Sequence, residues 1–122
     1  MKIALALARS RFGGWALRLA FGKFHRLLPL KRLQEGPGLL AFWHPAPAYL
    51  FHILLVPKKG LRSIAHLERW ELESMAIEAF QMGRQIAHKH GLGPFRLVLN
   101  AGKFQESGQL HFHLIPPGEN KP

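Results

Sequence analysis

The chain has 122 residues, enough for one hydrophobic core and too few for two domains. It contains no cysteine, which excludes disulfides, thiolate metal ligands and cysteine nucleophiles. Aspartate and threonine are also absent, so a Ser-His-Asp triad is excluded and seven glutamates are the only carboxylate side chains. The net charge of +10 is uneven, because residues 1–32 hold eight of the 17 lysines and arginines and no acid.

Residues 1–29 are predicted to form a basic, apolar N-terminal arm, with a helix over residues 11–28 that Pro29 ends. Its apolar run at residues 3–8 is too short for a secretory signal or a membrane span, so a cytoplasmic location is expected. Packing of the arm on the domain is the favoured interpretation. The alternatives are a dimer contact and a weak contact of residues 1–32 with an anionic membrane or with nucleic acid.

Residues 30–118 are predicted to form one α+β domain, followed by a short tail at residues 119–122. Five segments have the length and apolar content of strands: 30–33, 39–43, 50–56, 95–99 and 109–115. The longest helical pattern spans residues 64–90, between the third and fourth strands, with Gly91 as its predicted C-cap. Four glutamates in this helix are interpreted as its solvated face: Glu68, Glu71, Glu73 and Glu78. The order of segments predicts a five-stranded, largely antiparallel sheet with one long helix.

Polar and apolar residues alternate along the last strand segment, Gln109-Leu110-His111-Phe112-His113-Leu114-Ile115-Pro116. A period of two places the side chains of Gln109, His111 and His113 on the same side of the strand. Three such groups in a row on a buried face would each need a partner or water. This face is therefore predicted to be the floor of a functional site.

The segment resembles the signature of the histidine triad (HIT) superfamily, His-φ-His-φ-His-φ-φ with φ apolar, except that Gln109 replaces the first histidine. Upstream segments are similar to the same family: Leu40-Ala41-Phe42-Trp43-His44, Pro45-Ala46-Pro47, His52-Ile53-Leu54-Leu55-Val56-Pro57-Lys58 and Leu97-Val98-Leu99-Asn100. The resemblance covers roughly residues 38–116. It implies a HIT-like fold, with the N-terminal helix outside the part common to the family.

By resemblance, the expected function is a nucleotide-binding phosphohydrolase or nucleotidyltransferase acting at the α-phosphate through a nucleotidyl-histidine intermediate. The expected substrates are nucleoside monophosphate or dinucleotide-type compounds, including phosphoramidates and dinucleoside polyphosphates, and no metal or cofactor is expected. The resemblance also implies a homodimer formed through the long helix and the adjoining strand.

The resemblance assigns the motif residues as well. Aligned through His-φ-φ-Pro, His111 is the nucleophile, His113 donates to a phosphoryl oxygen or leaving group, and Gln109 is a hydrogen-bonding group that cannot act as an acid. Counting without gaps from Asn100 gives a second register, in which His113 is the nucleophile. The other expected nucleotide-binding residues are Phe42, His44, Pro45, His52, Asn100, Ser107 and Gly108. His44 stands where relatives commonly carry an aspartate that grips ribose hydroxyls.

Two alternatives remain open at this stage. Because Gln109 and His44 depart from the family pattern, the chain could be a nucleotide-binding module without turnover. The pair His111 and His113 could instead chelate Zn²⁺ with His52 or His44 as a third ligand, an interpretation placed below nucleotide chemistry.

Overall fold

The computed structural model describes residues 31–105 and 108–118, without the side chain of Phe104. The predicted N-terminal helix and the tail at residues 119–122 lie outside these described residues, as does nearly all of the basic segment 1–32. Among the described residues, no helix has the length and apolar character needed to cross a membrane.

The described part of the chain forms one antiparallel sheet and one long helix. In chain order the elements are β1 (Arg32–Glu35), β2 (Leu39–Trp43), β3 (Ile53–Pro57), α1 (Arg69–Lys89), β4 (Arg96–Leu99) and β5 (Phe112–Ile115). The spatial order is β1-β2-β3-β5-β4, and every pair of neighbours is antiparallel. The predicted α+β class, the five-stranded sheet and the position of the helix between the third and fourth strands are confirmed.

The start of the helix was predicted too early. Residues Ile64–His66 form a separate 3₁₀ turn, which begins where the backbone N–H of Ala65 donates to Oγ of Ser63 at 3.2 Å. The α-helix begins at Arg69, because the carboxylate of Glu71 accepts the backbone N–H of Glu68 at 3.1 Å and caps the first turn.

The helix ends at Lys89, just before Gly91, as the sequence predicted. Gly91 has a φ of +59°, and the backbone N–H of Leu92 donates to the carbonyl of Ala87 at 3.0 Å. This left-handed residue and the bond back to the last turn close the helix as a Schellman motif.

The strand starts were also mostly predicted too early, with β1 beginning at Arg32 rather than at residue 30 and β4 at Arg96 rather than at residue 95. β3 begins at Ile53 rather than Leu50, because residues 48–51 form bends before the strand. β5 begins at Phe112 rather than Gln109. The reason is that the segment before β5 pairs elsewhere, with the backbone N–H of Leu110 donating to the carbonyl of Leu61 at 2.8 Å.

The core lies between α1 and one face of the sheet. It includes Leu39, Ala41, Ile53, Leu55 and Leu114 from the strands, with Met75, Ala79 and Ile86 from the helix. The opposite face carries a smaller apolar cluster of Leu40, Phe42 and Val56. His113 pairs with Leu54 of β3 and Val98 of β4, so its side chain points to that opposite face, away from α1.

Candidate functional site

Four imidazoles form a file across the face of the sheet that points away from α1. The His44 and His52 rings are stacked with centroids 4.2 Å apart, His52 and His113 are 5.1 Å apart, and His113 and His111 are 4.8 Å apart. The first pair meets because the β2–β3 pairing extends by one bond, from the backbone N–H of His44 to the carbonyl of His52 at 2.9 Å. Three strands thus contribute to one continuous site.

A hydrogen-bond chain determines which nitrogens of His52 and His113 carry protons. The backbone N–H of Ala48 donates to Nδ1 of His52 at 3.2 Å, so the proton of neutral His52 lies on Nε2. Nε2 of His52 is 2.8 Å from Nδ1 of His113 and donates to it. Neutral His113 therefore carries its own proton on Nε2.

The Nε2–H group of His113 has no hydrogen-bond acceptor among the described residues, although the atom is buried. A buried donor without an acceptor costs free energy that a bound ligand oxygen would recover. This N–H is therefore a candidate donor to a ligand oxygen.

His111 has the opposite arrangement. Its Nδ1 lies 2.7 Å from the backbone carbonyl oxygen of Gln109. A carbonyl only accepts, so Nδ1 donates and Nε2 of neutral His111 holds a lone pair. The file thus places a lone pair on His111 beside an N–H on His113, the combination that nucleophilic attack with charge stabilisation requires.

Burial keeps the two central imidazoles neutral. Burial, and to a lesser extent positive charge on His44 and His111, lowers the pKa of His52 from 6.5 to about 4. Burial, and to a lesser extent positive charge on His111, His52 and His44, lowers the pKa of His113 from 6.5 to about 3. At pH 7 both rings are therefore neutral, as the proton assignment above assumes.

Gln109 contributes to the candidate site through its backbone carbonyl more directly than through its side chain. Its side-chain Nε2 lies 3.5 Å from the carbonyl of Lys59 and 3.4 Å from that of Leu110, both long hydrogen bonds. The ring nitrogens of His52 bond to the Ala48 N–H and to His113. The carbonyl of Gln109 orients His111, a contact that a residue pattern does not reveal.

The remaining predicted residues lie around the file. Phe42 is buried on the same face, and Nδ1 of His44 accepts the backbone N–H of Ala46 at 2.9 Å. Asn100 directly follows Leu99, which pairs with Phe112, so the register continues to bring Asn100 opposite His111. Pro45 and Gly108 are half-buried in the adjoining loops. Ser107 lies outside the described residues.

Sequence reasoning missed two residues beside the site. The ring of Tyr49 meets that of His52 edge-on at 5.3 Å, and the guanidinium of Arg96 lies 5.8 Å from the centre of the Tyr49 ring. Tyr49 is the only tyrosine of the chain and comes three residues before His52, a weak signal. Arg96 gave none, because its partners are backbone carbonyls far along the chain.

The zinc interpretation does not fit the geometry. Within residues 31–105 and 108–118, no group of three or more His, Cys, Asp or Glu side chains is arranged to hold a metal ion. In addition, the hydrogen bonds of His52 leave a proton on Nε2 of neutral His113, so this atom has no lone pair for a metal ion.

Comparisons with known proteins agree on one family. A HIT domain model matches residues 26–120. An uncharacterized HIT-like protein of Methanocaldococcus jannaschii is 31% identical over 91 residues, which cover 73% of this chain and 70% of that protein. A histidine triad protein from Clostridium difficile has a solved structure with a TM-score of 0.71 and 27% identity, covering 85% of this chain and 92% of that chain. A HIT family hydrolase from Legionella pneumophila has a TM-score of 0.70 and 26% identity, covering 82% and 92%.

Proposed function

Because this chain belongs to the HIT family, we propose that it is a nucleotide-binding phosphohydrolase or nucleotidyltransferase reacting at the α-phosphate through a nucleotidyl-histidine. The observation that carries the proposal is the hydrogen bond of 2.7 Å from Nδ1 of His111 to the Gln109 carbonyl, beside the buried N–H of His113. The name of the Legionella pneumophila relative, a hydrolase, supports the same direction.

In the first step, the lone pair on Nε2 of His111 forms a bond to the α-phosphorus. The bond from phosphorus to the leaving oxygen breaks, and its electron pair departs with the leaving group. The imidazole of His111 becomes cationic, and the Gln109 carbonyl stabilises that charge through Nδ1–H. The Nε2–H of His113 donates a hydrogen bond to the negative charge that develops on the leaving or phosphoryl oxygen.

In the second step, water attacks the phosphorus and the phosphorus–nitrogen bond breaks. The electron pair returns to Nε2 of His111, and the proton of the attacking water passes to solvent. The product is a nucleoside monophosphate. A different acceptor in place of water gives nucleotidyl transfer by the same steps.

The hydrogen bonds favour His111 over His113 as the nucleophile. Nδ1 of His113 accepts from His52, so its Nε2 carries a proton and has no lone pair to attack with. Nε2 of His111 has the lone pair. This supports the gapped register, in which Gln109 holds the first motif position.

Trapping of the covalent adduct tests the mechanism. The protein is mixed with dinucleoside polyphosphates of different bases carrying labelled α-phosphate, quenched, and analysed by mass spectrometry. We expect a nucleotidyl adduct in the wild type and in His66→Ala, an exposed histidine of the 3₁₀ turn, and no adduct in His111→Ala.

Three outcomes contradict the proposal in different ways. An adduct of equal yield in His111→Ala rules out His111 as the nucleophile. Substrate turnover without an adduct in any variant rules out covalent catalysis. Nucleotide binding that survives His111→Ala, with neither adduct nor turnover, identifies a binding module without catalysis.

We further propose that the protein is a homodimer formed through α1 and the edge strand β4. The exposed large apolar side chains of α1 are Trp70, Leu72, Ile77 and Phe80, the last two of which line an open depression of about 500 Å³. This flank of the helix adjoins β4, since Gly83 packs toward Leu97. A second copy would cover both the apolar flank and the edge of the sheet.

Sedimentation of the purified chain tests the dimer. We expect the wild type and His66→Glu, an exposed change in the 3₁₀ turn outside α1, to sediment as a dimer. Phe80→Glu is expected to sediment as a folded monomer. A monomeric wild type, or a dimer that Phe80→Glu leaves unchanged, would contradict the proposed interface.

A further inference from the structure

Arg96 connects three segments of the chain beside the imidazole file. Its Nε donates to the carbonyl of Pro116 at 3.0 Å and its Nη2 to the carbonyl of Gly118 at 3.1 Å. The guanidinium also lies 5.8 Å from the centre of the Tyr49 ring. A planar fork that bonds two carbonyls and faces an aromatic ring is a combination that lysine does not reproduce.

The strand register places Arg96 and His52 on either side of the same residue of β5. Arg96 pairs with Ile115, and the pair Ile53–Leu114 continues to bring His52 opposite Ile115. Tyr49 connects the two sides, because its ring meets His52 edge-on at 5.3 Å and faces Arg96. Tyr49 therefore connects the loop between His44 and His52 to Arg96 of β4. Arg96 in turn bonds to the residues that follow β5.

The position of this loop decides the polarity of the site. The bond of 2.8 Å between His52 and His113 can be donated from either ring. Only the Ala48 N–H, which occupies Nδ1 of His52 at 3.2 Å, selects the direction that leaves the proton on Nε2 of His113. If that contact is lost, both rings can shift tautomer together, and Nε2 of His113 then presents a lone pair to an anionic substrate.

We propose that Arg96 is a positioning residue, which through Tyr49 holds the Ala48 N–H on His52 and thereby keeps the N–H of His113 directed at the substrate. The catalytic part of this inference rests on the proposed function, whereas the tautomers can be observed without any reaction. Arg96 touches neither of the proposed reacting groups. Its effect on the position of the Ala48 N–H passes through the loop between His44 and His52, which contains Tyr49.

Nitrogen NMR of the imidazoles tests the tautomers directly at pH 7.5 in the absence of substrate. In the wild type, His52 and His113 are both expected to be protonated on Nε2. We expect Arg96→Gln and Tyr49→Leu each to show a mixture of tautomers for these two rings, and Arg96→Lys to show an intermediate mixture. The control is Arg69→Gln, which removes an exposed arginine of α1 that pairs with Glu73 and should leave both tautomers unchanged.

The rate of adduct formation is the second readout. With the proper tautomer only partly populated, kcat is expected to fall by about tenfold in Arg96→Gln and Tyr49→Leu, with little change in KM. Unchanged tautomers in folded Tyr49→Leu and Arg96→Gln would overturn the inference. Tyr49 is half-buried in a loop, so its variant decides the question even if Arg96→Gln does not fold. If the tautomers shift but the rate stays unchanged, the proposal that Arg96 positions the Ala48 N–H on His52 is supported. The proposal that the His113 N–H contributes to catalysis is then overturned.

Discussion

His52 and His113 share one hydrogen bond of 2.8 Å between two ring nitrogens, and only one of the two imidazoles can donate it. The Ala48 N–H on the far nitrogen of His52 selects His52 as the donor. A proton added to the accepting Nδ1 of His113 would place two N–H groups against each other. The bond therefore exists only while His113 is neutral, which links the site to the stability of the fold.

The first prediction concerns acid stability. The pKa values of His52 and His113 are about 4 and about 3 in the folded chain and 6.5 in the unfolded chain. Between pH 6.5 and these values the unfolded chain binds more protons, so the free energy of unfolding falls as the pH falls. Each histidine contributes a slope of up to about 1.4 kcal/mol per pH unit in this window and none above it.

Urea unfolding measured from pH 8 to pH 4 checks this slope. His113→Gln removes one of the two titrating groups and should give a shallower loss of stability below pH 6.5. His66→Gln removes an exposed histidine and should follow the wild type. Parallel curves for the wild type and His113→Gln would show that His113 is not held neutral by the fold.

The second prediction separates hydrogen bonding from proton transfer at His113. A neutral imidazole whose pKa is about 3 donates a hydrogen bond at pH 7 but does not act as an acid. His113→Gln keeps an N–H near the position of Nε2, so its kcat should stay within about tenfold of the wild type. His113→Phe removes the donor and should lower kcat by about 10²- to 10³-fold. Equal losses in the two variants, in stopped-flow assays at pH 7, would favour proton transfer over hydrogen bonding.

The third prediction concerns the residue that departs from the family motif. Gln109→Ala removes the carboxamide but keeps the backbone carbonyl that orients His111 at 2.7 Å. The adduct should still form, with a rate loss below about tenfold, whereas a change of the nucleophile itself removes it. The free energy of unfolding should fall by about 1–3 kcal/mol, since Gln109 is 1% exposed and its removal leaves a cavity. Loss of the adduct in a folded Gln109→Ala protein would show that the side chain itself takes part in the reaction.

The sequence predicted the order of the elements better than it predicted individual contacts. Alternation along residues 109–114 correctly placed His111 and His113 on one face, because a strand has a fixed period of two. The same alternation suggested a strand start at Gln109, where backbone pairing of Leu110 with Leu61 gives a different local structure. The carbonyl that accepts from His111 and the N–H that donates to His52 are backbone groups of Gln109 and Ala48. Because every residue has a backbone carbonyl, and every residue but proline an N–H, no residue pattern could indicate these two contacts.

A similar limit applies to the glutamates of α1, which the sequence assigned to the solvated face. Glu73 fits that assignment, as it forms an exposed pair with Arg69. Glu78 does not, because its carboxylate accepts the backbone N–H groups of Gly38 at 3.0 Å and Leu39 at 2.7 Å. Charge and helical periodicity alone cannot distinguish a carboxylate in water from one that holds a neighbouring hairpin.

The last prediction follows from that contact. Glu78→Ala leaves the N–H groups of Gly38 and Leu39 without their acceptor at the turn between β1 and β2, and should lower the free energy of unfolding by about 2 kcal/mol. Glu78→Gln keeps one acceptor oxygen and should recover part of that loss. Glu73→Ala breaks only the exposed pair with Arg69 and should change the free energy by less than about 0.5 kcal/mol. Urea unfolding at pH 7.5 compares the three variants. Both alanine variants remove a carboxylate from α1, but only Glu78→Ala removes one that bonds to the turn between β1 and β2. Equal losses of unfolding free energy in Glu78→Ala and Glu73→Ala would therefore mean that the stability of the hairpin does not depend on Glu78.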